Sequence, residues 1–209
     1  MGGFQLNDKK NSGNVIKGES VSKVIEVSRN RIYFYSEIDK ENILNLNKTL
    51  RNCANDSLNH HYNNMTAKPH PLFLHIHSYG GTIFSGIAGM DQILVLKEEV
   101  PIYTIVDGCV ASAATFLSMV GSKRFINSNS FMMIHQLSSV MWGKYEEFKD
   151  EMQNLDRLMK MIKDFYQKYT KVPDKVLNDI LRHDLWWDAK TCIEYGLADE
   201  IFTYKNIRK

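Results

Sequence analysis

The sequence predicts an α/β protein built around a largely parallel sheet, and three observations lead to this class. Its 209 residues are 44% hydrophobic and 24% charged, which suits one domain with a full core and excludes a disordered or fibrous chain. Apolar runs of strand length alternate with stretches of helical periodicity through the middle of the chain, as in βαβ units. No internal repeat or low-complexity segment interrupts this alternation.

The first elements follow in order from a polar N-terminus. Residues 1–24 are predicted to form a flexible arm, and 25–209 a single domain. A strand is expected over 31–38. Asp39 is suited to cap a helix, because Ile43, Leu46 and Leu50 follow at spacings of three and four. The polar, proline-bounded segment 55–71 predicts a long loop.

The later elements are marked by apolar runs, glycines and prolines. They are a strand ending at Ser78, a helix over about 84–97, a strand over 101–106, a turn at Asp107-Gly108, a helix over 109–120, strands within 123–127 and 130–136, a long helix over about 145–170, a helix opening at Pro173-Asp174, and a final helix that stops at Gly196 before a short strand.

The helix predicted over 145–170 has one apolar stripe along its whole length. About 26 residues extend roughly 39 Å, which is longer than one small domain needs to cover. This length favours an intermolecular role for the stripe. The alternative, that it packs on the core of its own chain, stays open.

Composition excludes several classes of partner and site. Lys and Arg number 26 against 24 for Asp and Glu, so nothing in the charge predicts binding to nucleic acid or to an anionic membrane. No apolar run approaches the roughly 18 residues that span a bilayer. The three cysteines, Cys53, Cys109 and Cys192, are odd in number and far apart, which indicates reduced thiols in a cytoplasmic type of compartment. His75 and His77 share one strand face, but no carboxylate or cysteine set completes a metal site.

Two segments could supply a nucleophile and an oxyanion site. Ser112 follows a strand and turn and lies among alanines, whose small side chains let a substrate backbone approach the hydroxyl. Gly80 and Gly81 follow another strand and can leave backbone N–H groups uncovered for an oxyanion. The structural alternatives are a helix cap or packing role for Ser112 and a plain tight turn for the glycines.

A base and a carboxylate follow later in the chain. His135 ends the apolar strand FMMIHQ, and Asp184 precedes Leu185, Trp186 and Trp187, which could shield the carboxylate. Each residue alone is more typical of a structural hydrogen bond or a helix cap. Together with Ser112 they have the three side-chain types of a hydrolytic triad.

The order of these motifs and the residues within them resemble the proteolytic subunit of the caseinolytic (Clp) proteases, the ClpP family. The resemblance covers about 31–202. It rests on HIHSYGGTIFSGIAGMDQIL, GCVASAATFL, MIHQ and DLWWDAKTCIEYGLADEIF. It implies a ClpP/crotonase-type ββα superhelix in which the 145–170 helix is the projecting handle.

The same resemblance implies roles for individual residues. Ser112 would be the nucleophile, His135 the general base and then acid, and Asp184 the group that fixes the imidazole tautomer. The backbone N–H groups of Gly81 and Ala113 would form the oxyanion hole. No cofactor or metal is implied.

The implied protein is a serine endopeptidase that acts on unfolded polypeptides inside heptameric rings, stacked as a tetradecamer, with an AAA+ unfoldase as partner. Its compartment would be the cytoplasm, an organellar matrix or the cytoplasm of a virus-infected host. The chain departs from the family at Leu137, where proline is usual, and at SSVMWGK, which replaces a glycine-rich strand. Asp107 stands where the family tends to have an apolar residue. It would raise the pKa of His135 if the two were close, and otherwise it would cap the turn.

Three alternatives remain at this point. The chain could be a catalytically silent ring subunit, although such relatives typically lack a triad member. It could be a capsid-maturation protease of a virus on the same fold. It could also be a crotonase-type enzyme acting on acyl-coenzyme A thioesters, but that chemistry needs a Glu base where Ser112 and Ala113 stand.

Overall fold

A computed structural model describes residues 24–203 and residue 205. The predicted arm therefore lies outside the described residues, except for Val24, which begins the first strand. Within the described part, no helix is long and apolar enough to cross a membrane.

Eight strands form one mixed sheet, most of whose pairings are parallel, as predicted. They are β1 (Val24–Ser28), β2 (Arg31–Tyr35), β3 (Leu72–Ser78), β4 (Ile102–Ala111), β5 (Lys123–Ile126), β6 (Phe131–Met133), β7 (Trp186–Asp188) and β8 (Glu200–Ile201). The main order is β1-β2-β3-β4-β5-β8. Only the β1–β2 and β6–β7 pairings are antiparallel among these strands.

Six helices complete the described part of the chain. They are α1 (Lys40–Asn64), α2 (Ile83–Leu96), α3 (Ala114–Met119), α4 (Tyr145–Tyr169), α5 (Asp174–Ile180) and α6 (Ala189–Glu194). Alternate residues of β3, such as Leu74 and Ile76, join side chains of the helices in the main core. The other face of the sheet carries a smaller cluster of Phe73, Ile105 and Phe125.

The sheet branches at β4. One edge of this strand pairs with β3 along its length, while the other pairs first with β5 and then with β6. A bulge separates the two stretches, because Ile76 pairs with Val106 but Ser78 pairs with Val110. Gly108, with φ +67°, supplies the left-handed residue inside the bulge. The predicted turn at Asp107-Gly108 and the predicted helix start at 109 were therefore wrong, since the strand continues to Ala111.

The predicted loop over 55–71 was also wrong in its first half. Helix α1 begins after its Asp39 cap, as expected, but continues to Asn64. Ala54 and Ser57 keep the helix on the core beyond the last leucine, and the Ser57 hydroxyl donates to the His70 carbonyl at 2.7 Å. This tertiary contact outweighs the low helix propensity of the Asn-rich sequence.

Helix α4 confirms the long helix predicted from Tyr145. Its C-terminal part joins the core through Ile162 and Tyr166. Its first turns are exposed around the whole circumference, and Met152 remains 52% exposed. The apolar stripe is thus divided between a buried end and an exposed end.

Candidate active site

Ser112 occupies the tight turn between β4 and α3. Its φ of +54° lies in the left-handed region, which non-glycine residues seldom adopt. Hydrogen bonds hold the residue on both sides. Its N–H donates to the Met133 carbonyl at 2.9 Å, and its carbonyl accepts from the Thr115 N–H at 3.0 Å and from Thr115 Oγ1 at 2.6 Å. The backbone of Ser112 is therefore strained, and the hydrogen bonds on either side hold it in this conformation.

The glycine pair at the end of β3 lies directly against this turn. Gly80 has φ +100°, and a Cβ atom added to it would lie 2.6 Å from the Ser112 Cβ, so only glycine allows this approach. The next residue, Gly81, forms a parallel bridge with Ile38. The two bonds of that bridge use the Gly80 carbonyl and the Thr82 N–H, both at 2.8 Å. The bridge leaves the Gly81 N–H unused.

His135 follows β6 on the neighbouring branch of the sheet. The chain after it is fixed by the Gln136 N–H, which donates to the Leu181 carbonyl at 2.8 Å, and by the Leu137 N–H, which donates to Met159 Sδ at 3.3 Å. Ser112 and His135 line one cleft of about 430 Å³. The other lining residues include Gly81, Ala113, Glu37, Ile38, Phe116, Ile162 and Tyr166. Both residues lie in the described part of the chain, and no hydrogen bond joins the Ser112 hydroxyl to the His135 ring.

Asp184 lies between α5 and β7, at the rim of this arrangement. Its Oδ1 is 4.0 Å from His135 Nδ1, beyond the range of a normal hydrogen bond. Its side chain is 81% exposed, against 23% for His135. The expected aromatic shield is absent from this described region. Trp186 contacts the ring of Tyr79 edge-on, and Trp187 lies against Tyr195.

The two sequence-based suggestions for Asp107 were both wrong. Its carboxylate accepts hydrogen bonds from the Tyr35 hydroxyl at 2.8 Å, from His75 Nδ1 at 2.8 Å and from Asn127 Nδ2 at 2.5 Å. These partners lie on the face of the sheet that carries Phe73 and Ile105, so Asp107 forms a separate polar cluster. Arg31 Nη1 lies 3.4 Å from His75 Nε2, at the edge of the same cluster.

None of the three cysteines has the lowered pKa of a reactive thiol. Burial raises the pKa of Cys53 and of Cys109, and raises the pKa of Cys192 to about 12, so the thiols stay protonated at neutral pH. All three are free. Over the described residues, no three His, Cys, Asp or Glu side chains gather into a group that could hold a metal ion.

Sequence reasoning missed two residues that touch the serine turn, Thr115 and Tyr166. The Tyr166 hydroxyl lies 2.6 Å from Thr115 Oγ1, which in turn donates to the Ser112 carbonyl. The two residues are 51 positions apart in the chain, and no local pattern relates them. Tyr166 was expected only as part of the apolar stripe of the long helix.

A parallel sheet that branches at β4, a glycine pair packed on a strained serine, and a long, partly exposed helix define the fold class of the ClpP proteins. A solved structure of a ClpP1 mutant from Listeria monocytogenes shares this fold, with a TM-score of 0.71 and 21% identity over 87% of this chain and 95% of that one. Residues 27–205 match the family model of the Clp proteases. The chain belongs to the Clp protease family.

Curated relatives resemble this chain at moderate identity. The ATP-dependent Clp protease proteolytic subunit 2 of Treponema denticola is 34% identical over 133 residues, which is 63% of this chain and 66% of that relative. A proteolytic subunit 1 from Protochlamydia amoebophila is 29% identical over 67% of this chain and 69% of its own length. The aligned part is thus about two thirds of these relatives, and the chain is a diverged member of the family.

Proposed function

We propose that this chain is a serine endopeptidase, the proteolytic subunit of a Clp-type self-compartmentalised protease that hydrolyses peptide bonds in unfolded proteins and peptides. The observation that carries the proposal is the shared cleft. It is lined by the strained Ser112, by His135, and by Gly81 and Ala113, to whose backbone N–H groups we assign the oxyanion hole. Family membership supports the same reaction class.

The proposed cycle uses Ser112 as nucleophile. Its Oγ attacks the scissile carbonyl carbon while His135 takes the hydroxyl proton, and the N–H groups of Gly81 and Ala113 bind the oxyanion. The imidazolium then gives that proton to the leaving amine, and an acyl-enzyme remains. His135 then takes a proton from water, which attacks the acyl carbon; the bond from that carbon to Ser112 Oγ breaks, Oγ takes the proton back from His135, and the acid product leaves. Asp184 holds the Nδ1–H of His135 during both halves.

A closing step belongs to this cycle. The 4.0 Å separation of His135 and Asp184 must shorten by about 1 Å before a hydrogen bond can form. Catalytic hydrogen bonds are often long in the absence of substrate and tighten in the reacting complex. Binding of a peptide in the cleft is the event we expect to bring the groups together.

We also propose rings of identical subunits, heptameric and stacked in pairs, with an AAA+ unfoldase delivering substrate. The exposed apolar residues of α4 and of the segment before it support self-association, since Trp142 is 99% exposed and Met152 lies on the same exposed end. The names of the curated relatives, which call those proteins ATP-dependent, support the ATPase partner.

The test is a matched pair of proteins, the wild type and Ser112→Ala. We expect the wild type to cleave a short fluorogenic peptide and to be labelled by a fluorophosphonate at Ser112, and the variant to do neither while keeping the same particle mass. Unchanged cleavage by Ser112→Ala would remove the nucleophile assignment.

A catalytically silent ring subunit is the second candidate, because Asp184 is largely exposed and not bonded to His135. A native particle of ring size that neither cleaves peptide nor reacts with the fluorophosphonate would favour that reading. Labelling of Ser112 would exclude it.

A further inference from the structure

Two hydroxyl groups outside the proposed triad form a chain that ends on the serine turn. Thr115 Oγ1 donates to the Ser112 carbonyl at 2.6 Å. The Tyr166 hydroxyl of α4 lies 2.6 Å from that same Thr115 oxygen. Thr115 has one hydroxyl proton, and it is committed to the carbonyl, so Tyr166 must be the donor in the second bond. The direction of the chain is therefore Tyr166 to Thr115 to Ser112.

Both hydroxyls are buried and have fixed partners. Thr115 is completely buried and Tyr166 is 1% exposed. Buried hydroxyls without partners are costly, so these two bonds are strongly favoured over any rotated arrangement. Burial also raises the pKa of Tyr166 well above its ordinary value, so the phenol keeps its proton at neutral pH.

Peptide geometry passes this restraint to the next residue. The Ser112 carbonyl and the Ala113 N–H belong to one planar, trans peptide group and point in opposite directions. With the carbonyl held towards Thr115, the Ala113 N–H is held towards the opposite side. A hydrogen bond accepted by the carbonyl also polarises the amide and strengthens its N–H as a donor. Because φ of Ser112 is +54°, the turn gains from such an external restraint.

We propose that Thr115 and Tyr166 are positioning residues that orient the Ala113 N–H as a donor to the oxyanion. This inference rests on the proposed function, because it concerns stabilisation of the tetrahedral intermediate. The two hydroxyls act through the Ser112–Ala113 peptide and not on the reacting atoms. Tyr166 also belongs to the lining of the cleft, so its ring has to be kept when the hydroxyl is tested.

The first test removes and then restores the Thr115 hydroxyl. Thr115→Val keeps the shape of the side chain and loses the hydroxyl, whereas Thr115→Ser keeps the hydroxyl. We expect kcat for the fluorogenic peptide to fall about 10- to 100-fold in Thr115→Val, less than the loss on deleting an oxyanion donor outright. KM should change less than about twofold, because the oxyanion exists only in the transition state. Thr115→Ser should recover most of kcat.

A peptide boronic acid, which forms a tetrahedral adduct with the serine, supplies a readout that general loosening would not reproduce. Its affinity should fall in Thr115→Val by the same factor as kcat, while the affinity of an unreactive product peptide stays unchanged. The double variant Thr115→Val/Tyr166→Phe leaves no hydroxyl unpaired in the core. It should unfold at the wild-type urea midpoint and still react as slowly as Thr115→Val.

The outcomes separate the two proposals. If Ser112→Ala is inactive and Thr115→Val retains wild-type kcat and boronate affinity, the positioning role is overturned and the protease assignment stands. If Thr115→Ser fails to recover activity, the hydroxyl is not the active feature, and the inference is again overturned. If the wild type neither cleaves peptide nor takes up the fluorophosphonate, the protease assignment fails first, and the positioning role fails with it.

Discussion

Replacement of Gly81 by alanine tests the geometry of the proposed oxyanion site with one added methyl group. Gly81 has φ +149°, and a Cβ atom on it would lie 2.3 Å from the Ile38 carbonyl oxygen. An ordinary carbon–oxygen contact is about 3.3 Å or longer. The obstacle is backbone and not the end of a flexible side chain, so the turn itself has to move.

The expected cost can be added up from the contacts. The unfavourable φ costs about 1–3 kcal/mol for a residue with a side chain. Moving the turn away from Ile38 breaks the two 2.8 Å hydrogen bonds of the bridge, at about 1 kcal/mol each. We therefore expect Gly81→Ala to lower the free energy of unfolding by about 3–5 kcal/mol, a large part of the roughly 5–15 kcal/mol typical of a domain.

A urea titration at fixed protein concentration measures this loss. The control is Gly89→Ala in α2, where the atoms nearest to the added Cβ would be side-chain carbons of Ile43 and Leu117, at 3.2–3.4 Å. The gain in helix propensity of about 1 kcal/mol offsets that tight fit, so the control should stay within about 1 kcal/mol of the wild type. A Gly81→Ala protein as stable as the control would refute the described contact with Ile38, and with it the fixed position of the Gly81 N–H.

Two further predictions concern the exposed helix and the C-terminal strand. Met152→Lys should convert the native particle to smaller species in light scattering, because a charge would enter the proposed interface, whereas Asn154→Lys on the polar side of α4 should leave the mass unchanged. Burial alone would raise the pKa of Asp199, but its hydrogen bonds with Arg124 outweigh this and lower the pKa below the ordinary 3.8. A depressed native pKa stabilises the fold above the unfolded value and loses this effect as pH falls through the native value. The stability difference between wild type and Asp199→Asn should therefore shrink from pH 6 to pH 2, and a constant difference would contradict the pairing.

Local patterns predicted much of the fold. The spacing of apolar residues set the start of α4, and Asp39 marked the start of α1 because its side chain caps the Asn42 N–H at 2.7 Å. The order of the motifs led to the expectation that Ser112 and His135 share a site, and both line one cleft. The two helix starts could be predicted because they depend on interactions within a few residues, whereas the catalytic roles of Ser112 and His135 stay predictions.

The failures depend on contacts between distant residues. Asp107-Gly108 has the composition of a turn, but pairing on both edges of β4 keeps it within a strand. One partner of Asp107 is His75, which lies 32 positions away, and no periodicity in the sequence indicates such a pair. The exposure of Asp184 likewise follows from how the chain after α5 meets the sheet, which adjacent tryptophans do not reveal.

The branching of the sheet at β4 separates the strands into two groups. His135 and Asp184 belong to the branch formed by β6 and β7, which is attached to β4 through three paired residues, Cys109–Ala111. Ser112 follows the last residue of β4, and its N–H donates to the Met133 carbonyl of β6 at 2.9 Å. The pairing of β6 with β4 therefore fixes the imidazole relative to the hydroxyl independently of the ladder from β1 to β5.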